Sequence, residues 1–153
     1  MSLRERIDGD IKSAMKAKDK IRLETVRSIK KLILEKEVEA RVATGEASLT
    51  ADQELQLLSQ LAKQRRDAIE QYRKAGRDEL ADQEASELAI IEEYLPQQLT
   101  PEEVKAIVIE VIAAVGATSL KDMGKVMGPV MQRLKGQADG KLVQDLVKQS
   151  LSA

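Results

Sequence analysis

The chain contains no histidine, cysteine, phenylalanine or tryptophan, and its aromatic rings are two tyrosines, Tyr72 and Tyr94. Each absence excludes a class of chemistry. Without imidazole there is no proton shuttle near neutral pH and no nitrogen ligand for a transition metal. Without thiol there is no disulfide framework, no thiolate nucleophile and no zinc–sulfur site. Two tyrosines are too few for a base-stacking platform. What is present is charge and aliphatic bulk. Asp, Glu, Lys and Arg make up 33% of the residues, yet 25 basic groups against 26 acidic ones leave a formal net charge of −1. Leu, Ile and Val supply 40 of 153 residues, enough for an aliphatic core in one domain or two small ones. The balanced charge argues against wholesale coating of nucleic acid. The opening Met1-Ser2-Leu3-Arg4-Glu5-Arg6 lacks the apolar run of a secretory signal. The most apolar stretch, 104–115, carries Lys105 and Glu110 and is too short and too charged to span a bilayer. Together with the missing cysteines, these features predict a cytoplasmic protein with no membrane partner. No metal or cofactor is expected.

Periodicity and punctuation predict an all-α chain. Ser2 with Glu5 reads as a capping box opening a helix with Leu3, Ile7, Ile11 and Met15 on one stripe. Asp19 caps a second helix, with Ile21, Ile29 and Leu32 on one side and Val26 and Ile33 beside them, broken at Thr44-Gly45. Thr50 with Gln53 caps a third, and Gly76 stops it. A fourth covers roughly 79–94. Pro96 marks a seam, because the residue before proline is driven out of the helical region. Thr100-Pro101-Glu102-Glu103 combines an N-cap, a first-turn proline and an N3 glutamate to start a fifth helix that ends at Gly116. A sixth opens near Ser119 and ends near Gly136, with a kink expected at Pro129. Asp139 caps a seventh. The predicted architecture is an N-terminal helical domain of about four helices (1–95) and a small C-terminal three-helix domain (96–153).

The sixth helix carries the richest pattern, Lys121-Asp122-Met123-Gly124-Lys125-Val126-Met127-Gly128-Pro129. Met123, Met127 and Met131 fall with Val126, Val130 and Leu134 on one apolar face, read as core packing with a partner-docking surface as the alternative. Gly124 and Gly128 border Lys121, Lys125 and Lys135 on the other face. Glycine inside a helix costs about 1 kcal/mol against alanine, so it needs a reason. Close helix–helix packing is one; close approach of a phosphate chain between lysines is the other. Lys135-Gly136-Gln137-Ala138-Asp139-Gly140-Lys141 lacks phosphate-loop spacing and reads as a turn with a lysine on each side. A second basic stretch holds Arg65, Arg66, Arg73, Lys74 and Arg77. It precedes 78–93, which has seven acids and no base, so pairing between the two helices is its simpler reading. Arg65 falls within the Leu58, Leu61, Ile69 and Tyr72 stripe of the third helix, where it needs a carboxylate or an external anion, the alternative being a packed stem with its head in water. Arg27, Lys30 and Lys31 form a third basic face.

Three landmarks in order carry a family resemblance: Arg65-Arg66-Asp67 leading to Gln71-Tyr72-Arg73-Lys74-Ala75-Gly76-Arg77; Tyr94-Leu95-Pro96-Gln97-Gln98-Leu99; and the two lysine–glycine stretches at 121–128 and 135–140. Together they resemble the YqeY family of bacterial proteins over essentially the whole chain. The resemblance implies a relation to the helical and tail region of GatB, a subunit of the glutamine-dependent amidotransferase that amidates mischarged transfer RNA. It implies kinship with carbon–nitrogen ligases that use glutamine as amido donor, and a transfer-RNA-binding or amidotransferase-associated role in the translation machinery. Lys121, Gly124, Lys125, Gly128, Lys135 and Lys141 are the candidate RNA contacts on this reading, with Arg65, Arg66, Arg73, Lys74 and Arg77 secondary. No catalytic residue is assigned. Neither Cys nor His is present for glutamine hydrolysis, and Ser119 and Lys121 are too close along one helix start to act as a pair. The competing reading is a protein adaptor docking through Met123, Met127 and Met131.

Overall fold

The computed structural model describes residues 1–152 as seven α-helices, with no strand among them. The chain divides into two compact units, Met1–Leu95 and a second beginning at Pro96. Each has its own aliphatic core.

The first unit contains α1 (Leu3–Ala17), α2 (Lys20–Thr44), α3 (Ala51–Lys74) and α4 (Asp78–Glu92), and the first three start where a polar side chain caps them. Ser2 and Thr50 close reciprocal capping boxes with Glu5 and Gln53, and the Asp19 carboxylate accepts from Arg22 N–H at 3.1 Å. These bonds satisfy amide groups that a helix start leaves without partners. Gly45 ends α2 at φ +85°, a left-handed conformation that glycine adopts without a Cβ penalty. The core joins Ile7 of α1, Val26, Ile29 and Ile33 of α2, Leu57, Leu58, Leu61 and Ala62 of α3, and Ile91 of α4. Two expected stripe members lie outside it: Met15 is 55% exposed and Ile21 43%. Residues four apart advance about 40° on the helix wheel, so a stripe written as 3, 7, 11, 15 drifts off the core face. Ala14 takes the place assigned to Met15 and is buried.

Tyr94, just beyond α4, closes this core and is 7% exposed. Its hydroxyl donates to the Asp10 carboxylate, and the Arg6 guanidinium sits 4.4 Å from its ring centre. Arg6 also donates to the Glu93 carbonyl at 2.7 Å, while Arg22 holds the Glu93 carboxylate through two bonds of 2.8 and 3.2 Å. Tyr94 is the knot where α1, α2 and the end of α4 are tied together. Burial pushes the phenol pKa upward, and the Asp10 carboxylate reinforces the shift. The native state therefore keeps this proton where the unfolded chain loses it, near pH 10.0. Stability from this group is full below that pH and declines as pH rises above it. Tyr94→Phe is expected to cost about 1–2 kcal/mol at neutral pH and to flatten the alkaline decline. Urea midpoints measured on both forms between neutral and strongly alkaline pH check this; equal alkaline slopes would refute it.

The second unit contains α5 (Pro101–Val115), α6 (Met123–Leu134) and α7 (Gly140–Ser152), each packed on the other two. Its core is built from seven valines and two leucines, with Val104, Val108, Val126, Val130, Leu134, Val143 and Val147 fully buried. The β-branched run of α5 is helical because its apolar positions follow the 3.6-residue period, which tertiary burial rewards over local preference. Two details of α6 have local causes, and the first differs from the sequence reading. First, α6 does not begin at Ser119. The Asp122 carboxylate accepts from the N–H groups of Thr118 at 2.9 Å and Ser119 at 3.4 Å, and residues Leu120–Asp122 form a 3₁₀ turn before α6 starts. Second, α6 runs as one helix through Pro129. The residue before a proline resists the helical region because of its Cβ, and here that residue is Gly128, which has none.

Candidate nucleic-acid interface

The lysine–glycine edge lies in the second unit, and all six of its candidate residues are exposed. Lys121 stands on the 3₁₀ turn, Gly124, Lys125 and Gly128 on α6, Lys135 at the α6 C-terminus and Lys141 in the first turn of α7. Lys121 therefore precedes the α-helix, and the wheel argument places Gly124, Lys125 and Gly128 without it. Twelve residues of α6 span about 18 Å. The lysines form a track along an edge and do not converge on one point.

The glycines separate the two readings left open by sequence. A Cβ built on Gly124 or Gly128 meets nothing within 4 Å. Neither glycine accommodates a neighbouring helix. Gly128 has a local reason, the proline that follows it. Gly124 has none inside the chain: it is helical, exposed and flanked by lysines.

The electrostatics are mixed. The Asp122 carboxyl is held below the usual carboxylate range, chiefly by the Thr118 N–H, with Ser119 and Lys125 adding to it. Its oxygen lies 3.8 Å from Lys125 Nζ, so one anion sits among the cations. Asp139 occupies the start of α7, its carbonyl accepting from Val143 N–H at 3.1 Å and its carboxylate from Lys141 N–H at 3.4 Å. That cap leaves no phosphate cradle there. Lys121 and Lys135 have no ion-pair partner among the described residues.

Sequence reasoning missed the residues that position Lys135. Lys135 and Gly136 both adopt positive φ, 38° and 79°. The turn is clamped by the segment after Pro96: Gln98 Nε2 donates to the Gly136 carbonyl at 2.8 Å, and Leu99 N–H donates to the Gln137 carbonyl at 2.8 Å. The glutamines of Pro96-Gln97-Gln98 thus belong to the lysine turn. The signal was present as the Gln98 amide beside a helix breaker, but its partner lies 38 residues away.

Four of the five secondary basic residues have carboxylate partners within the first unit. Arg65 Nε lies 3.0 Å from Glu87 and 3.5 Å from Glu84, Arg66 lies 3.4 Å from Glu92, and Arg73 lies 3.0 Å from Asp82 and 3.6 Å from Asp78. Lys74 pairs with Glu70 one turn away at 3.1 Å, and Arg77 is exposed ahead of α4. The Glu84 carboxyl is pushed up by burial and by neighbouring Glu87, against the pull of Arg65. Arg65 thus finds inside the fold the counter-charge that its position requires. The methionine face turns inward: Met123 and Met127 pack on the core, while Met131 sits at its rim, 37% exposed. Among the described residues no group of three or more acidic side chains is placed to hold a metal ion, and no helix is long and apolar enough to cross a membrane.

Fold and edge together define an all-α protein whose candidate contacts are exposed lysines and bare backbone. A family model described as Yqey-like protein matches residues 4–151, and the chain belongs to that family. Among curated relatives it is similar to proteins named "Altered inheritance of mitochondria protein 41, mitochondrial". The match to that of Pyrenophora tritici-repentis is 29% identical over 150 residues, covering 97% of this chain and 80% of the relative. That of Lachancea thermotolerans is 39% identical over 88 residues, covering 58% and 45%. That of Kluyveromyces lactis is 34% identical over 107 residues, covering 67% and 55%. The chain therefore spans about half the length of the latter two. These names correct the cytoplasmic expectation, because the relatives are mitochondrial proteins. Composition reports on how a body folds; compartment is a separate matter, and missing cysteines do not decide it.

Proposed function

We propose that this protein is an RNA-binding helical module, with transfer RNA as the favoured ligand and the edge formed by Lys121, Gly124, Lys125, Gly128 and Lys135 as its contact surface. Gly124 carries the reading: a helical glycine with open space where its Cβ would be, between two lysines. Bare helix backbone lets a sugar–phosphate chain approach closely, and the lysines neutralise phosphates along the track. Such contacts read shape and backbone and carry little sequence information. Residues 99–153 hold seven bases and six acids, so binding is modest and salt-sensitive. The kinship with transfer-RNA amidotransferases implied by the sequence motifs fits this ligand, with the chemistry residing in partner subunits. An adaptor role through Met123, Met127 and Met131 draws less support, because two of the three pack on the core.

The test is a titration of the full chain with a transfer-RNA transcript at several salt concentrations. Affinity is expected to fall with a log–log slope of about −3, the value for three to four neutralised phosphates. A flat profile, or no binding at low salt, would refute the proposal. Gly124→Ala gives a sharper readout. Alanine is the better helix former by up to about 1 kcal/mol, so the variant should melt slightly higher while binding RNA several-fold more weakly. A gain in stability with unchanged binding would leave Gly124 without the assigned role.

A further inference from the structure

The first unit carries a second surface, independent of the RNA edge. Helix α2 is 25 residues long, yet its last buried residue is Ile33. The three turns beyond it expose an apolar ridge of Leu34, Val38 and Val42, at 39, 63 and 84% of their full accessibility. A shallow depression of about 410 Å³ runs along this helix, lined by Arg27, Lys30, Lys31, Leu34, Glu35 and Val38. A ridge of residues four apart beside a groove on the same helix is the surface that another helix packs against.

Charge selects the kind of helix. At about 100° per residue, Arg27, Lys31 and Arg41 share an arc of about 100° with the ridge. None of the three has an ion-pair partner among the described residues. The neighbouring charges are committed elsewhere: Lys30 to Asp8 at 2.6 Å, Glu37 to Arg4 at 3.0 Å, and Glu39 to Lys36 at 3.0 Å. Along the whole helix Lys20, Arg27, Lys31 and Arg41 stand on this side against Glu24 and Glu35, so the face is positive. We infer that this face docks an acidic amphipathic helix of a partner protein, with its apolar side chains on Leu34, Val38 and Val42 and its carboxylates on Arg27, Lys31 and Arg41. A second copy would present the same positive face and repel it. An anionic bilayer would match the cations but meets a ridge one residue wide, without aromatic anchors and flanked by Glu35 and Glu39. Nucleic acid would leave the ridge exposed to water.

Two labelled synthetic helices of about five turns test this. Both carry leucine at every third or fourth position; one has glutamate on the flanks and the other lysine. By fluorescence anisotropy the full chain is expected to bind the glutamate peptide saturably and the lysine peptide at least about tenfold more weakly. Val38→Asp should weaken the glutamate peptide by about tenfold or more, as should Arg27→Glu combined with Lys31→Glu. All these positions are exposed, so helical circular dichroism should be unchanged, and so should RNA binding, which separates this inference from the RNA reading. Four outcomes would overturn the inference: no peptide binding, equal binding of both peptides, capture on phosphatidylserine vesicles without peptide binding, or a dimer that Val38→Asp dissociates.

Discussion

Reversing Lys121, Lys125 and Lys135 to glutamate together is expected to lower transfer-RNA affinity at low salt by on the order of 100-fold and to reduce the salt slope by about three. All three side chains are exposed, and among them Lys125 alone has an ion-pair partner among the described residues, Asp122 at 3.8 Å. The substitutions therefore disturb no core contact. The control is Lys105→Glu on the exposed face of α5. It changes net charge without touching the track, and its effect should stay within about threefold. If Lys105→Glu weakened binding as much per charge as the triple variant, the interaction would be diffuse electrostatic attraction and the edge would have no special place. Parallel Arg65→Ala measurements sharpen the contrast. Arg65 sits between Glu84 and Glu87, so its loss leaves two half-buried carboxylates facing each other. That variant should lower the stability of the first unit and leave RNA affinity intact.

Leu134→Ala should cost the second unit about 2–5 kcal/mol. Leu134 is fully buried in a core otherwise made of valines and Leu151. The valines are stiff at χ1 and have little freedom to collapse into the void. A unit of fewer than sixty residues with no cysteine to form a disulfide is marginal to begin with. The loss should therefore unfold residues from Pro96 onward while the first unit stays folded. Residue-resolved amide hydrogen exchange would show this as lost protection in α5–α7 with α1–α4 unchanged. Uniform loss across all seven helices would mean that the two units unfold as one. RNA binding should vanish with the second unit, since Lys121, Lys125 and Lys135 are held by α6 and its flanking turns.

The order of the helices and most of their ends were legible in the amino acids alone. Ser2, Asp19, Thr50 and Thr100 start helices because their side-chain oxygens satisfy local amides, and Gly45, Gly76 and Gly116 end them because their backbones turn left-handed. These are interactions over three or four residues, which a linear reading captures. The partner of Arg65 was half legible: its place in an apolar stripe demanded a counter-charge, and an acidic helix followed. Tertiary structure alone named Glu84 and Glu87, tied Tyr94 to Asp10 and Arg6, and clamped the Lys135 turn with Gln98. Those contacts join residues 19 to 88 positions apart, and no periodicity encodes them. The same holds for the glycines. Sequence showed that Gly124 and Gly128 were costly in a helix, but whether another helix or open space faced them depended on how α5, α6 and α7 pack. The exposed ridge of α2 was likewise invisible, because Leu34, Val38 and Val42 carry a core-like spacing, and only the packing shows that they lie on the side of α2 away from Val26, Ile29 and Ile33.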